Sequence, residues 1–199
     1  MNFSVIILAG GKSSRMGCDK AWLEVGGKTL LARQIELARS VGAKEVFVSG
    51  RAGVDYSAFD GVVLTDHFQN AGPLAGIERG LSAMTTPLLL VLAVDMPGLE
   101  VGFLRKLITA SADGCGVIPQ LNEHIEPLVA IYPKAALRLA ADLLSWAQAG
   151  NRTPGPTDFA RDCVKGNLAR LVPVAAAEAH YFTNLNAPED LRAGSDLVL

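Results

Sequence analysis

Short apolar runs alternate with helical stretches along the chain. This predicts an α/β fold, doubly wound on a mostly parallel sheet, with residues 1–199 forming a single domain. Two further observations support that class. Leu88 to Val94 is apolar at every position, as a parallel strand covered on both faces should be. The first apolar run leads directly into a glycine pair, Gly10-Gly11, as a strand does when it ends in a ligand-facing loop.

Val5 to Ala9 reads as the first strand. Leu31, Ile35 and Ala38 fall at i, i+4 and i+7 and predict a helix that Gly42 stops. Val46-Phe47-Val48 and Val62-Val63-Leu64 are the next strands. A helix from about Leu74 to Met84 should end before Pro87. After the strand at Leu88–Val94 come a helix near Val101–Ser111 and strands at Gly116-Val117-Ile118 and Leu128–Tyr132. Leu137, Ala140, Ala141 and Leu144 line one face of a further helix, which Gly150 ends. Gly150 to Pro156 reads as a turn or loop. No internal repeat or break in composition divides the chain.

Half the residues are hydrophobic and 19% are charged, which excludes a disordered chain. A net charge of -2 gives no support for a nucleic-acid partner held by phosphate neutralisation, although it permits a local cationic pocket. Cys18, Cys115 and Cys163 form no CxxC pair and their number is odd. A reducing, cytoplasmic setting is therefore expected. The apolar start, Met1 to Leu8, has no basic leader and reads as a buried strand instead of a signal peptide. No run approaches the ~20 apolar residues of a membrane span, so no membrane partner is expected.

The chemistry should follow the strands, because open α/β sheets bind ligands outside the carboxyl ends of their strands. In Leu8-Ala9-Gly10-Gly11-Lys12-Ser13-Ser14-Arg15-Met16-Gly17-Cys18-Asp19-Lys20, two glycines free backbone N–H groups to face a phosphate. Lys12, Arg15 and Lys20 add three cations. The loop is neither a Walker A motif nor GxGxxG. A simple turn with solvated lysines is the alternative. Asp95 ends the most apolar strand, where a carboxylate could hold Mg²⁺ or, equally in form, cap the next helix. Asp66 ends another strand and could instead stabilise a turn. Gly72-Pro73-Leu74-Ala75-Gly76 opens a helix, whose N-terminus favours anions. Asn184 and Asn186 flank Leu185 and would point to one side if extended. Arg152, Arg161 and Lys165 could meet a phosphate or form a solvated face. His67, His124 and His180 show no metal spacing, and Trp22 and Trp146 read as core or rim.

The first motif resembles the signature of the molybdenum cofactor guanylyltransferases, within the wider group that includes sugar-nucleotide pyrophosphorylases. The resemblance continues at Gly72 to Ile77, Asp95-Met96-Pro97, Glu126-Pro127-Leu128 and Asn184 to Leu191, in family order. It implies a Rossmann-like nucleotidyltransferase fold, GTP as donor, molybdopterin or molybdenum cofactor as acceptor, and Mg²⁺ as cofactor. Molybdoenzymes or their chaperones would receive the product. It also implies that Lys20, Arg15 and Asp95 are catalytic and that Asp95 binds the metal. Leu8, Ala9, Gly10, Gly11, Lys12, Lys20, Ser49, Asp66, Gly72, Pro73, Leu74 and Asp95 would contact the nucleotide, with Asn184 and Asn186 on the acceptor side. Two places depart from the pattern. Ser49 stands where the enterobacterial-type members of the family carry an Asn that touches the nucleotide, and Gly150 to Gly166 lacks the Gly-Glu-Arg-Arg-like stretch that often follows the long helix. The rivals are a related transferase using CTP or a sugar phosphate, and a non-catalytic delivery module. Cytidylyl relatives usually read Ala-Ala-Gly in the first motif and lack Gly-Pro-Leu-Ala-Gly. An intact Lys20 and Asp95 argue against the delivery module.

Overall fold

The computed structural model describes residues 1–10, 19–51, 53–112, 114–150 and 154–185. Gly11, Lys12, Arg15, Arg152 and Asn186 lie outside the described residues. Strand β1 (Phe3–Leu8) is followed by a one-turn 3-10 segment (Lys20–Trp22), a small hairpin of β2 (Glu24–Val25) and β3 (Lys28–Thr29), and helix α1 (Leu30–Ser40). Then come β4 (Glu45–Ser49), β5 (Val62–Leu64), α2 (Pro73–Ala83), β6 (Leu88–Ala93), α3 (Val101–Ala110) and β7 (Gly116–Leu121). The chain continues through β8 (His124–Ile125), β9 (Val129–Pro133), α4 (Ala136–Gln148), α5 (Pro156–Lys165) and β10 (Ala169–Pro173). A 3-10 segment spans Ala176–Phe182.

The main sheet runs β5-β4-β1-β6-β9-β7-β10, with β8 paired to β7 outside that path. β5, β4, β1 and β6 are mutually parallel, and β7 is parallel to β10. β9 is antiparallel to both of its neighbours, so the sheet is mixed and mostly parallel. From β1 the chain moves outward to β4 and β5, then crosses back through α2 to β6 on the other side. The strand order therefore reverses between β1 and β6, where doubly wound sheets open a crevice.

Alternate side chains of the strands feed two cores. Val5 and Ile7 of β1 and Leu88, Leu90 and Leu92 of β6 meet Leu31 and Ile35 of α1 and Phe103 and Leu107 of α3. Ile6, Leu89 and Val91 point the other way, to Leu74, Ile77 and Leu81 of α2, Leu144 of α4 and Phe159 of α5. All six residues of β6 are buried. Each such aliphatic side chain contributes ~1.5–3 kcal/mol, which makes β6 the natural centre of the sheet.

Besides the two-residue strands β2, β3 and β8 and the 3-10 segments, two longer elements have no counterpart in the sequence reading, α5 and β10. The turn expected from Gly150 to Pro156 is shorter, because Pro156 opens α5 as its first residue. The Asp158 carboxylate accepts from the Gly155 N–H at 3.0 Å and closes that end. The buried stripe of α5 is only Phe159, Ala160 and Cys163, too short to announce itself beside two prolines. Burial pushes the Cys163 thiol up to about 12, so it behaves as a small apolar core group. β10 is an edge strand with only Ala169 buried, so it lacks the apolar run of its neighbours.

Gly116 opens β7 where the backbone of β9 comes closest. A β-carbon there would sit 1.9 Å from the Ile131 carbonyl oxygen and 2.8 Å from its carbon. Backbone cannot swing aside as a side chain can. Gly116→Ala is expected to cost at least the upper part of the ~1–3 kcal/mol range of overpacking substitutions. Urea unfolding should show a lower midpoint at an unchanged slope; an unchanged midpoint would refute the tight approach.

Candidate functional site

Four parallel strands end on one edge of the sheet. Their carboxyl ends deliver Leu8-Ala9-Gly10, Ser49-Gly50-Arg51, Thr65-Asp66 and Ala93-Val94-Asp95 to a single cleft of about 610 Å³. Gly72 and Pro73, at the start of α2, complete its wall. The volume suits a nucleotide-sized ligand. Pairing continues past the strands and stiffens this rim: Ala9 N–H donates to the Ser49 carbonyl at 2.9 Å, and Val94 N–H to the Leu8 carbonyl at 3.3 Å.

Of the residues the sequence singles out, Leu8, Ala9, Gly10, Lys20, Ser49, Asp66, Gly72, Pro73 and Asp95 meet in this cleft. The Leu74 side chain does not, because it is fully buried in the core under α2. Asn184 is exposed, and its neighbour Leu185 donates its N–H to the Asp95 carbonyl at 2.9 Å.

Lys20 Nζ donates to Asp95 Oδ2 at 2.8 Å, with side-chain exposures of 16% and 22%. Helix α3 begins at Val101 behind Glu100, so Asp95 is not its cap. Lys20 owes its place to Asp19. One Asp19 oxygen accepts from the Ala21 N–H at 3.0 Å and caps the 3-10 turn. The other accepts from the Tyr56 hydroxyl at 3.1 Å, which itself accepts from the Arg51 N–H at 3.1 Å. Tyr56 therefore ties the lysine turn to the end of β4.

Ser49 Oγ donates to Asp66 Oδ1 at 2.9 Å and joins the ends of β4 and β5. Burial raises the Asp66 carboxyl above its ordinary value, against the lowering effect of the Ser49 hydrogen bond; the nearby Glu78 adds to the rise. His67 Nδ1 lies 3.2 Å from buried Glu78, which gives this histidine a structural partner. Gly72 sits at φ +71°, a conformation that favours glycine, and it lets α2 begin with its N-terminus open to the cleft.

Among the described residues no three metal-ligating side chains gather. Asp95 stands as a single carboxylate whose Oδ2 already faces a cation. That donor set fits Mg²⁺, which keeps most of its waters and takes one or two carboxylates plus substrate phosphates.

Arg51, Thr65, Gln69 and Asn70 also line the cleft, although no motif singles them out. Arg51 has a usable signal, since it lies two residues beyond the end of β4. Tyr56 has none, because its role arises from pairing with Asp19. Arg161 and Lys165 are exposed on α5, Lys165 pairs with Asp162, and neither lines the cleft. Trp22 and Trp146 are surface residues, 40% and 51% exposed; Trp22 rests on Phe59.

A family model described as the MobA-like NTP transferase domain matches residues 5–154. The chain belongs to this family of nucleotidyltransferases. A relative from Opitutus terrae, named as a probable molybdenum cofactor guanylyltransferase, is 37% identical over 92% of this chain and 90% of its own length. The fold is shared with the crystal structure of molybdopterin-guanine dinucleotide biosynthesis protein A from Archaeoglobus fulgidus, with TM-score 0.73, 23% identity and 98% of each chain covered. It is shared equally with 2-C-methyl-D-erythritol 4-phosphate cytidylyltransferase from Thermus thermophilus, with TM-score 0.72, 23% identity, and 99% and 98% covered. The last two likenesses concern the fold alone. No described helix is long and apolar enough to cross a membrane.

The raised Asp66 carboxyl has a consequence for stability. The folded state holds that proton more tightly than the unfolded chain does, where the group titrates near 3.9. Its contribution is therefore complete at low pH and is lost as pH rises through the raised value. Asp66→Asn keeps an acceptor for Ser49 and removes the buried charge. It is expected to be more stable than the parent at pH 7, with the advantage gone at about pH 3.5. Urea midpoints at both pH values check this, and a pH-independent difference contradicts it.

Proposed function

We propose that this nucleotidyltransferase moves GMP from GTP to the terminal phosphate of molybdopterin, releasing pyrophosphate and leaving the guanine dinucleotide form of the cofactor. The observation that carries the reading is the Lys20–Asp95 pair, set where strand order reverses and at the mouth of a nucleotide-sized cleft. The likeness to the Opitutus terrae relative, a probable molybdenum cofactor guanylyltransferase by name, supports the choice of guanine and of molybdopterin.

The attacking group is a phosphate, already an anion, so the site needs no strong general base. Catalysis reduces to positioning and charge neutralisation. The Gly10 N–H and the open N-terminus of α2 would receive phosphate oxygens. Lys20 would shift from Asp95 to the reacting phosphate and offset the charge developing there. Asp95 would hold Mg²⁺, and the ion would supply further neutralisation of phosphate oxygens. Gly11, Lys12 and Arg15 belong to the segment joining two cleft-lining residues, Gly10 and Lys20, and are assigned to the triphosphate. Ser49 and Asp66 are assigned to the nucleoside, and Asn184 and Asn186 to the acceptor side. Molybdoenzymes or their chaperones would take the product, in the cytoplasm.

Lys20→Ala and Asp95→Asn are each expected to lower turnover ~10²–10³-fold, with melting temperatures little changed. Because the two side chains touch, the double variant should lose less than the product of the single effects. Pyrophosphate release with molybdopterin provides the assay. Near-normal turnover in either single variant would withdraw that residue from catalysis. GTP and CTP at equal concentration should yield a guanosine product by mass. A cytidine product would keep the reaction and replace the base.

A further inference from the structure

Two consecutive side chains of α1 reach across to the loop that carries Asp95. Gln34, only 2% exposed, donates from Nε2 to the Met96 carbonyl at 2.9 Å. Arg33 donates from a terminal guanidinium nitrogen to the Pro97 carbonyl at 3.4 Å. The Asp95 carbonyl is held by the Leu185 N–H. Three successive carbonyls, at Asp95, Met96 and Pro97, thus each have a donor from an element distant in sequence. Among the described residues, the only other donor to the Met96 carbonyl is the Leu99 N–H, at a long 3.4 Å.

The arrangement has a cost. Gln34 Oε1 and Arg33 Nε are buried and have no hydrogen-bond partner among the described residues. A buried polar atom without a partner is unfavourable, and a methionine at position 34 would fill similar space without one. What the glutamine offers in return is its donor, and that donor goes to the residue next to Asp95. Neither Gln34 nor Arg33 lines the cleft.

We infer that Gln34, assisted by Arg33, is a positioning residue that fixes the Asp95 carboxylate for Lys20 and for the divalent cation. This rests on the assignment of Asp95 as the metal carboxylate in the proposed function. The backbone of Asp95 carries its carboxylate, and the carbonyls on either side of the next two peptide bonds set how that backbone is turned. Releasing Met96 lets the carboxylate wander from the place where it meets both cations. Partners of this outer kind typically change metal affinity or activity by ~10–100-fold.

The test uses Gln34→Met in the full chain, with Mn²⁺ as a spectroscopic probe. Mn²⁺ titrations in the presence of GTP, read by electron paramagnetic resonance, should show about tenfold weaker binding than the parent. kcat should fall by about the same factor while KM for GTP stays within about twofold. The melting temperature should move by no more than about 4 °C, since a lost hydrogen bond is offset by a removed stranded acceptor. Arg33→Met, which leaves Gln34 in place, should shift the same readings by less and covers the case in which Gln34→Met does not fold. Parental Mn²⁺ affinity and kcat in the variants that fold, whatever their melting temperatures, overturn the inference. Asp95→Asn in the same titration separates the two levels. If it binds Mn²⁺ as the parent does, the metal assignment of Asp95 fails and the role of Gln34 fails with it. If it loses the ion while Gln34→Met retains it, only the positioning role is wrong.

Discussion

β1 hydrogen-bonds in parallel to β4 on one side and to β6 on the other, and the rest of the structure depends on that double pairing. Its register sets Leu8 opposite both Ser49 and Ala93, so three chain segments end at the same height. The backbone bonds from Ala9 to Ser49 and from Val94 to Leu8 carry the alignment past the strands. The cleft follows from this order, because α1 and α3 cover one face of the sheet, α2, α4 and α5 cover the other, and the strands end together at its floor. A slip of one residue in β1 would exchange Ile6 with Val5 and Ile7 between the two cores, so core packing and site geometry are specified together.

The rim needs bracing of its own, since loops at strand ends lack the sheet's ladder. Each important carboxylate is held by a different device. Asp19 is held by a turn N–H and by Tyr56, Asp66 by Ser49, and Asp95 by Lys20 through its side chain and by Leu185 through its carbonyl. The donors come from separate elements, so the rim acts as a set of cross-ties between loops. Buried and partly buried polar contacts of this kind specify one arrangement among several that the apolar core alone would tolerate.

Legibility in the sequence followed the range of the forces involved. β6 was visible because a strand covered on both faces must be apolar at every position, β1 because Val5 to Leu8 is an unbroken apolar run, and α1, α2 and α4 because one apolar stripe recurs at helical spacing. Asp95 and Asp66 could be picked out as residues that end strands, and Ser49 through the family resemblance. α5 and β10 were hidden because each shows little apolar surface to the core. The antiparallel direction of β9 was hidden too, since the two faces of Val129 to Pro133 are equally buried and nothing local marks orientation. Tyr56 and Gln34 were the least visible. A tyrosine that matters because Asp19 lies opposite it, and a glutamine that matters because Met96 does, carry no local pattern.

Electrostatics connects the site to its proposed ligand. A cleft meant for a triphosphate should not present bare carboxylates, yet two aspartates line this one. The structure handles them differently. Asp95 is paired with Lys20 at 2.8 Å, so the pair brings almost no net charge while the lysine stays within reach of an incoming phosphate. Asp66 is shifted by burial toward its neutral form and has one oxygen engaged by Ser49, which lowers the repulsion it would exert. An Asn at position 49 would offer a further amide to the nucleotide, whereas the serine hydroxyl is engaged by Asp66. On the proposed reading, discrimination between bases would then rest more on backbone groups around Gly10 and Gly72 than on the side chain at position 49. Such a pocket is rigid because its donors belong to the sheet edge and to a helix start, and a rigid pocket penalises a base that leaves its polar groups unpaired.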